Sequence, residues 1–181
     1  MNALIFLIDS LARLYMLAFL LRLLLQVARA DFYNPISQFV VQVTNPLVVP
    51  ARRMIPSIRR FDFPTLVVLA ALQLATLLII SALSGFRGPF IVILWEALFS
   101  LLRLTISTYL FCIIVYVILS WFPQARFHPI TTFLGQLIAP VLRPARRLLP
   151  PMSGIDVSPL IVSIFLWAAL ILLGDLRRLI M

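Results

Sequence analysis

The sequence predicts an all-α integral membrane protein with four transmembrane helices, arranged as two tandem repeats of the same orientation. Each repeat is expected to carry a cytoplasmic amphipathic helix and a Pro/Arg-rich turn. Three observations support this: the chain repeats itself at an offset of 94 residues, its composition is too apolar for a soluble domain, and its arginines gather in two of the three segments between apolar runs.

The repeat is ungapped. Asn34-Pro-Ile-Ser-Gln-Phe39 falls on His128-Pro-Ile-Thr-Thr-Phe133, Pro46 on Pro140, and Pro50-Ala-Arg-Arg-Met-Ile-Pro56 on Pro144-Ala-Arg-Arg-Leu-Leu-Pro150. Between 34–66 and 128–160, 12 of 33 positions are identical. Self-similarity of this extent reads as a tandem duplication, with residues 1–86 as the first unit and 87–181 as the second.

Hydrophobic residues make up 63% of the chain and charged residues 12%, and the mean hydropathy is +1.11. A globular chain is about half apolar, so the excess calls for lipid. The runs long enough to span are 4–28, 63–83, 91–122 and 158–173, against about 20 residues for a ~30 Å core. The last is short, which predicts an upright helix or one that recruits Gly174. At the N-terminus there is no basic leader segment or small-residue cleavage site, and Asp9 and Arg13 interrupt the apolar run. It therefore reads as a retained helix.

All 15 basic residues are Arg, against 6 acids. In a soluble chain that excess would suggest nucleic acid, but position accounts for it here and no direct nucleic-acid contact is expected. Arg29, Arg52, Arg53, Arg59 and Arg60 lie between the first two spans, and Arg126, Arg143, Arg146 and Arg147 between the last two; the middle connection has Arg87 alone. The positive-inside tendency puts both long loops in the cytoplasm. Two spans per repeat keep both copies in one orientation, which disfavours the inverted repeats common in transporters.

Within each loop, Asn34-Pro35 supplies an N-cap and a Pro at the first helical position. Ile36, Phe39, Val40 and Val43 then recur at helical spacing, as do Ile130, Phe133, Leu134, Leu137 and Ile138 in the second copy. These are read as amphipathic helices of about three turns, ended by Pro46 and Pro140. The Pro-Ala-Arg-Arg-x-x-Pro segment after each is read as a rigid turn. Asp62 and Asp156 stand before the second and fourth apolar runs, where a helix N-terminus favours negative charge. His128, matched by Asn34, reads as a cap.

Two readings of Arg52, Arg53, Arg146, Arg147, Asp62 and Asp156 stand side by side. Either the arginines only set topology and the aspartates only cap, or paired guanidinium groups on a fixed turn hold anionic lipid phosphate or a partner's carboxylate. Charges inside the spans are the second signal. Asp9 and Arg103 occupy equivalent repeat positions and could pair; Asp9 with Arg13, and Glu96 with Arg103, are the same-helix alternatives. Arg22 is matched by Tyr116, and it either snorkels to the interface or faces a buried partner. Trp95 and Trp121 read as interfacial anchors and Trp167 as a packing residue.

A single His, one Cys and six scattered acids give no metal-ligand spacing, no nucleophile–base set and no phosphate loop. The expectation is no enzyme and no cofactor. The order of Leu119-Ser-Trp-Phe-Pro123, Asn/His-Pro, Pro-Ala-Arg-Arg-x-x-Pro and Ile155-Asp-Val-Ser-Pro159 is similar to the repeat of the YggT (YlmG) integral membrane family. The first copy departs from it, with Gln26-Val27-Ala28 for Ser-Trp-Phe and Phe63-Pro64 where the pattern has Val/Leu-Ser-Pro. The resemblance implies links to osmotic-stress tolerance and to membrane or division processes, and in plastid relatives to cytochrome-complex assembly and nucleoid organisation; it implies no biochemical activity. The expected function, with the resemblance, is a non-enzymatic adaptor or assembly factor of the bacterial inner membrane whose partners are membrane lipids, anionic ones included, other membrane proteins or a second copy. The alternative is a transporter or channel-type component of osmotic (ion) adaptation.

Overall fold

Long apolar runs bounded by Gly, Pro or Asn resolve into helices whose backbone bonds are satisfied internally, the condition for crossing lipid. In the computed structural model, which describes residues 2–56, 62–148 and 156–180, these are α1 (Asn2–Ala28), α2 (Pro35–Met54), α3 (Phe63–Ser84), α4 (Phe90–Ser120), α5 (Pro129–Leu148) and α6 (Ser158–Ile180), with a 3-10 turn at Pro123–Phe127 before α5. Among the described residues, α1, α3, α4 and α6 are long and apolar enough to cross a membrane. The chain is a membrane protein. Arg59, Arg60 and Pro150 lie outside the described residues.

Both halves are assembled alike. α1 packs along α3 as α4 packs along α6, α2 lies on α1 and α3 as α5 lies on α4 and α6, and α1 meets α4 between the halves. The symmetry is imperfect, since α5 also packs on α1 whereas α2 does not reach α4. Two bonds tie the starts of α2 and α5 together: Asn34 Nδ2 donates to the Pro129 carbonyl at 2.8 Å and the Asp31 N–H to Gln136 Oε1 at 2.9 Å. Asn34 Oδ1 also caps α2 through the Ile36 N–H at 2.9 Å, and His128 Nδ1 repeats this for Ile130 at 3.2 Å.

The helices after Asn34 and His128 do not stop at Pro46 and Pro140. α2 and α5 are 20 residues each, and they carry Pro46, Pro50, Pro140 and Pro144 inside them. An interior Pro costs about 3 kcal/mol, yet the buried series Ser37, Val40, Thr44 and Val48 continues at helical spacing past Pro46. Pro46 and Pro50 fall one turn apart on the exposed side, where the carbonyls of Gln42 and Pro46, left free by the absent proline N–H groups, need no protein partner. Packing therefore outweighs local breaking. As a result Arg52, Arg53, Arg146 and Arg147 sit in the last helical turns rather than on a separate rigid turn.

The core gathers around the second half of α1. Met16, Phe19, Leu20, Leu23, Leu24 and Leu25 bury against Leu137, Ile138 and Leu142 of α5 and Cys112 and Ile113 of α4. Met16 and Leu110, like Phe19 and Ile113, are equivalent across the duplication, and all four are at most 5% exposed. Phe6, Leu11 and Leu14, nearer the start of α1, are exposed, as lipid-facing side chains are. Trp167 does not pack as expected, being 57% exposed.

α1 and α3 end in the same motif. The Ala30 N–H reaches back to the Leu25 carbonyl and the Phe86 N–H to that of Ser81, with a left-handed residue between, Arg29 (φ 54°) and Gly85 (φ 69°). A Cβ at Gly85 would touch nothing within 4 Å, so its substitution isolates the conformational cost. Gly85→Ala should lower stability in detergent by about 1 kcal/mol without altering helix content, measured by thermal unfolding and circular dichroism.

Candidate interaction site

Because α2 runs to Met54, its last turn reaches the start of α3. Arg52 Nη2 lies 2.6 Å from Asp62 Oδ2, and ten residues separate the pair in sequence. The second copy repeats the arrangement at the same spacing, with Arg146 Nη2 2.9 Å from Asp156 Oδ2. Each arginine is thereby tied to an aspartate of its own repeat, a latch joining the loop helix to the span that follows.

The two latches differ in burial. Asp62 has 3% of its side chain exposed and Asp156 36%. Around Asp62, Thr65 Oγ1 donates to Oδ2 at 2.7 Å, and the Asp62 N–H donates to Gln26 Oε1 at 3.1 Å. Arg22 Nε lies 3.7 Å away. Arg22 is thus the buried, partner-facing arginine of the two alternatives. It stands less than two turns from the end of α1, and its Nη1 donates to Thr44 Oγ1 at 2.7 Å, Asn45 Oδ1 at 2.9 Å and the Val41 carbonyl at 3.4 Å. The second copy has Tyr116, Ile138, Ala139 and Pro159 where the first has Arg22, Thr44, Asn45 and Thr65. Gly135 admits the Tyr116 ring, which would stand 3.2 Å from a Cβ there.

Burial acts to raise the Asp62 carboxyl, but hydrogen bonds from Arg52 and Thr65 and the charges of Arg52 and Arg22 hold it below the usual carboxylate range. Burial opposes ionisation of Asp156 too, and bonds from Ser158 and Arg146 again lower it. Arg53 and Arg147, one residue past each latch, are exposed. Neither has a carboxylate within ion-pair distance among the described residues.

Of the charges on the spans, Asp9 pairs with Arg13 at 2.9 Å, not with Arg103. Glu96 likewise does not pair with Arg103; it takes Arg177 of α6 at 2.8 Å. Thr44, Asn45 and Thr65 were not singled out from the sequence. Their signal is that all three are polar in the copy holding Arg22 and apolar in the copy holding Tyr116.

Removing one partner of a buried ion pair costs about 3–5 kcal/mol, whereas an exposed pair contributes about 0–1 kcal/mol. Asp62→Ala should therefore lower the unfolding midpoint in detergent strongly and Asp156→Ala barely. Both carboxyls titrate lower in the folded state. Their contribution is therefore full above the unfolded carboxylate value near ~4 and is lost as pH falls through the folded one. The gap between wild type and Asp62→Ala should persist from pH 7 to 5 and close toward pH 3, followed by unfolding midpoint across that range.

The profile of the CCB3/YggT family matches residues 1–83 and again 95–177, two matches displaced by the offset of the internal repeat. The chain is 43% identical to "Uncharacterized protein YggT" of Escherichia coli (strain K12), over 92% of this chain and 87% of that protein. It is 39% identical to "Uncharacterized protein in proC 3'region" of Vibrio alginolyticus, over 97% and 96%. A 71-residue stretch is 32% identical to "Uncharacterized protein ycf19" of Porphyra purpurea, covering 38% of this chain and 74% of that one. No solved structure matches the chain. With the family profile falling on both halves, the chain belongs to the CCB3/YggT family.

Proposed function

We propose that this protein acts by binding rather than by catalysis, as an adaptor or assembly scaffold of the bacterial inner membrane. Its interaction face is the side of α2 and α5 that faces away from the spans. The observation that carries this reading is the doubled latch. Arg52–Asp62 and Arg146–Asp156 fix the ends of α2 and α5, and fixing them holds Arg53 and Arg147 at equivalent places. Beside these cations the face exposes Val49, Met54 and Leu148, with Phe39 farther along α2. Exposed apolar groups next to guanidinium groups suit amphipathic helices lying at the headgroup level, with fork-shaped donors turned to lipid phosphate or a partner's carboxylate. The positive-inside tendency assigns this face to the cytoplasm. No cofactor and no direct nucleic-acid contact belong to the reading.

The packing supports binding over conduction. Met16, Phe19, Leu110 and Ile113 form an apolar belt, nearly inaccessible, between the Arg22 network and the charges at the opposite end. A solute path would need polar side chains through that layer.

In a Cys112→Ala background, Gln42→Cys and Gln124→Cys should resist an impermeant maleimide in intact cells, and Ser84→Cys should label at once. The reverse pattern would invert the orientation. Lysine keeps the charge but loses the planar fork. Arg53→Lys with Arg147→Lys should therefore leave insertion and unfolding midpoint unchanged while reducing membrane-protein crosslinks formed from these positions several-fold. It should also impair growth under osmotic stress, the phenotype that the family resemblance suggests scoring. Unchanged crosslinks and growth would reduce the two arginines to topology determinants.

A further inference from the structure

At the end of the bundle away from α2 and α5, α4 forms the floor of a crevice of about 1050 Å³ with side chains of α3 and α6 along its walls. α3 and α6 both pack on α4 but not on each other, which leaves the space open. Four arginines line it: Arg13, Arg103, Arg177 and Arg178. Three have a carboxylate: Asp9 for Arg13 at 2.9 Å, Glu96 for Arg177 at 2.8 Å and Asp175 for Arg178 at 3.8 Å. The guanidinium of Arg103 has none among the described residues, nor a hydrogen-bond acceptor.

Arg103 lies two helical turns, about 10 Å, deeper along α4 than Glu96. Across from it on α3, Gln73 lines the same space. Gln73 is 6% exposed, and its carboxamide also lacks a partner among the described residues. An uncompensated cation on a membrane span is costly, and the Gln73 amide facing the crevice has its donor and acceptor free for a ligand. One ligand would serve both if it brought anionic oxygens to the guanidinium fork and the amide N–H groups. Ser100 and Ser107 supply further hydroxyls, and Leu104, Trp167 and Ile171 give the crevice apolar walls.

We propose that this crevice binds a phosphate-bearing anion, seated between Arg103 and Gln73. Two sources carry that chemistry: the headgroup of an acidic phospholipid entering through the open side, and free phosphate entering from the end. Arg177 and Arg178 at the rim keep the field positive along either route.

The full chain in neutral detergent, titrated with phosphatidylglycerol or with inorganic phosphate and followed by thermal unfolding and native mass spectrometry, tests this. At least one probe should raise the unfolding midpoint by several degrees, and that probe names the source. Arg103→Gln should weaken its binding by at least about tenfold, Gln73→Leu by less, and Arg103→Lys should fall between wild type and Arg103→Gln. Arg103 ties no helix to another and is uncompensated without a ligand, so Arg103→Gln should be at least as stable as wild type when no probe is present. Should it fail to fold, Arg103→Lys and Gln73→Leu carry the same comparison. The proposal is overturned if neither probe binds the wild type, if the Arg103 and Gln73 variants bind as wild type does, or if binding is lost in Arg53→Gln/Arg147→Gln instead. That last outcome would move the anion to the α2/α5 face and leave the proposed adaptor surface standing.

Discussion

The junction of α1, α2 and α3 depends on keeping one carboxylate charged out of contact with water. A buried ion is tolerated when it is paired and hydrogen-bonded, and is strongly destabilising when it is not. Asp62 Oδ2 takes Arg52 at 2.6 Å and Thr65 at 2.7 Å, with Arg22 3.7 Å away. Those partners come from α2, α3 and α1, so satisfying the one oxygen requires three helices to converge. It also requires α2 to remain helical through both prolines. Thr44 and Asn45, which hold Arg22, precede Pro46 and Pro50, and Arg52 follows them. A break at Pro46 would leave Arg22 or Asp62 without its partners.

The second copy solves the same problem by removing it. With Tyr116 in place of Arg22 there is no buried cation to neutralise, and Ile138 and Ala139 replace the side chains that would have held it. Exchanging a buried polar cluster for packed apolar groups is often neutral or favourable. α5 accordingly buries Phe133, Leu134, Leu137, Ile138 and Leu142, where α2 buries Ser37, Val40, Thr44 and Val48. The apolar face lets α5 pack on α1 as well as α4, a contact that α2 does not match. What both copies keep is the Arg–Asp latch, so the latch belongs to the repeat and the Arg22 network to the first half alone.

Much of this was legible in the sequence because it depends on spacing. The duplication, the four apolar runs and the ten-residue interval from Arg52 to Asp62 and from Arg146 to Asp156 need no tertiary information. Caps at Asn34 and His128 are local and were equally readable. The ends of α2 and α5 were not, because a proline's local cost is set against burial over the whole helix, and burial is known only once α1 and α3 are in place. Arg22 left both of its fates open for a related reason: its partners lie on the far side of a loop. The residues that decide it were visible only as a coordinated difference between the copies at positions 22, 44, 45 and 65.

The opposite end shows what drift does when no such compensation follows. Asp9 and Arg13 of α1 are four residues apart, the spacing at which opposite charges on a helix meet, and they satisfy each other. The equivalent pair on α4 is Arg103 and Ser107. Ser107 instead turns its hydroxyl to the Arg103 backbone carbonyl at 2.7 Å. The acid nearest along α4, Glu96, is held by Arg177 at 2.8 Å. The same repeat position is therefore self-neutralising in one copy and carries an unmatched cation in the other. In water that difference would cost little, because the solvent screens it. On a membrane span the low dielectric makes it expensive, so the cation in the second copy calls for a counter-ion that the described chain does not supply.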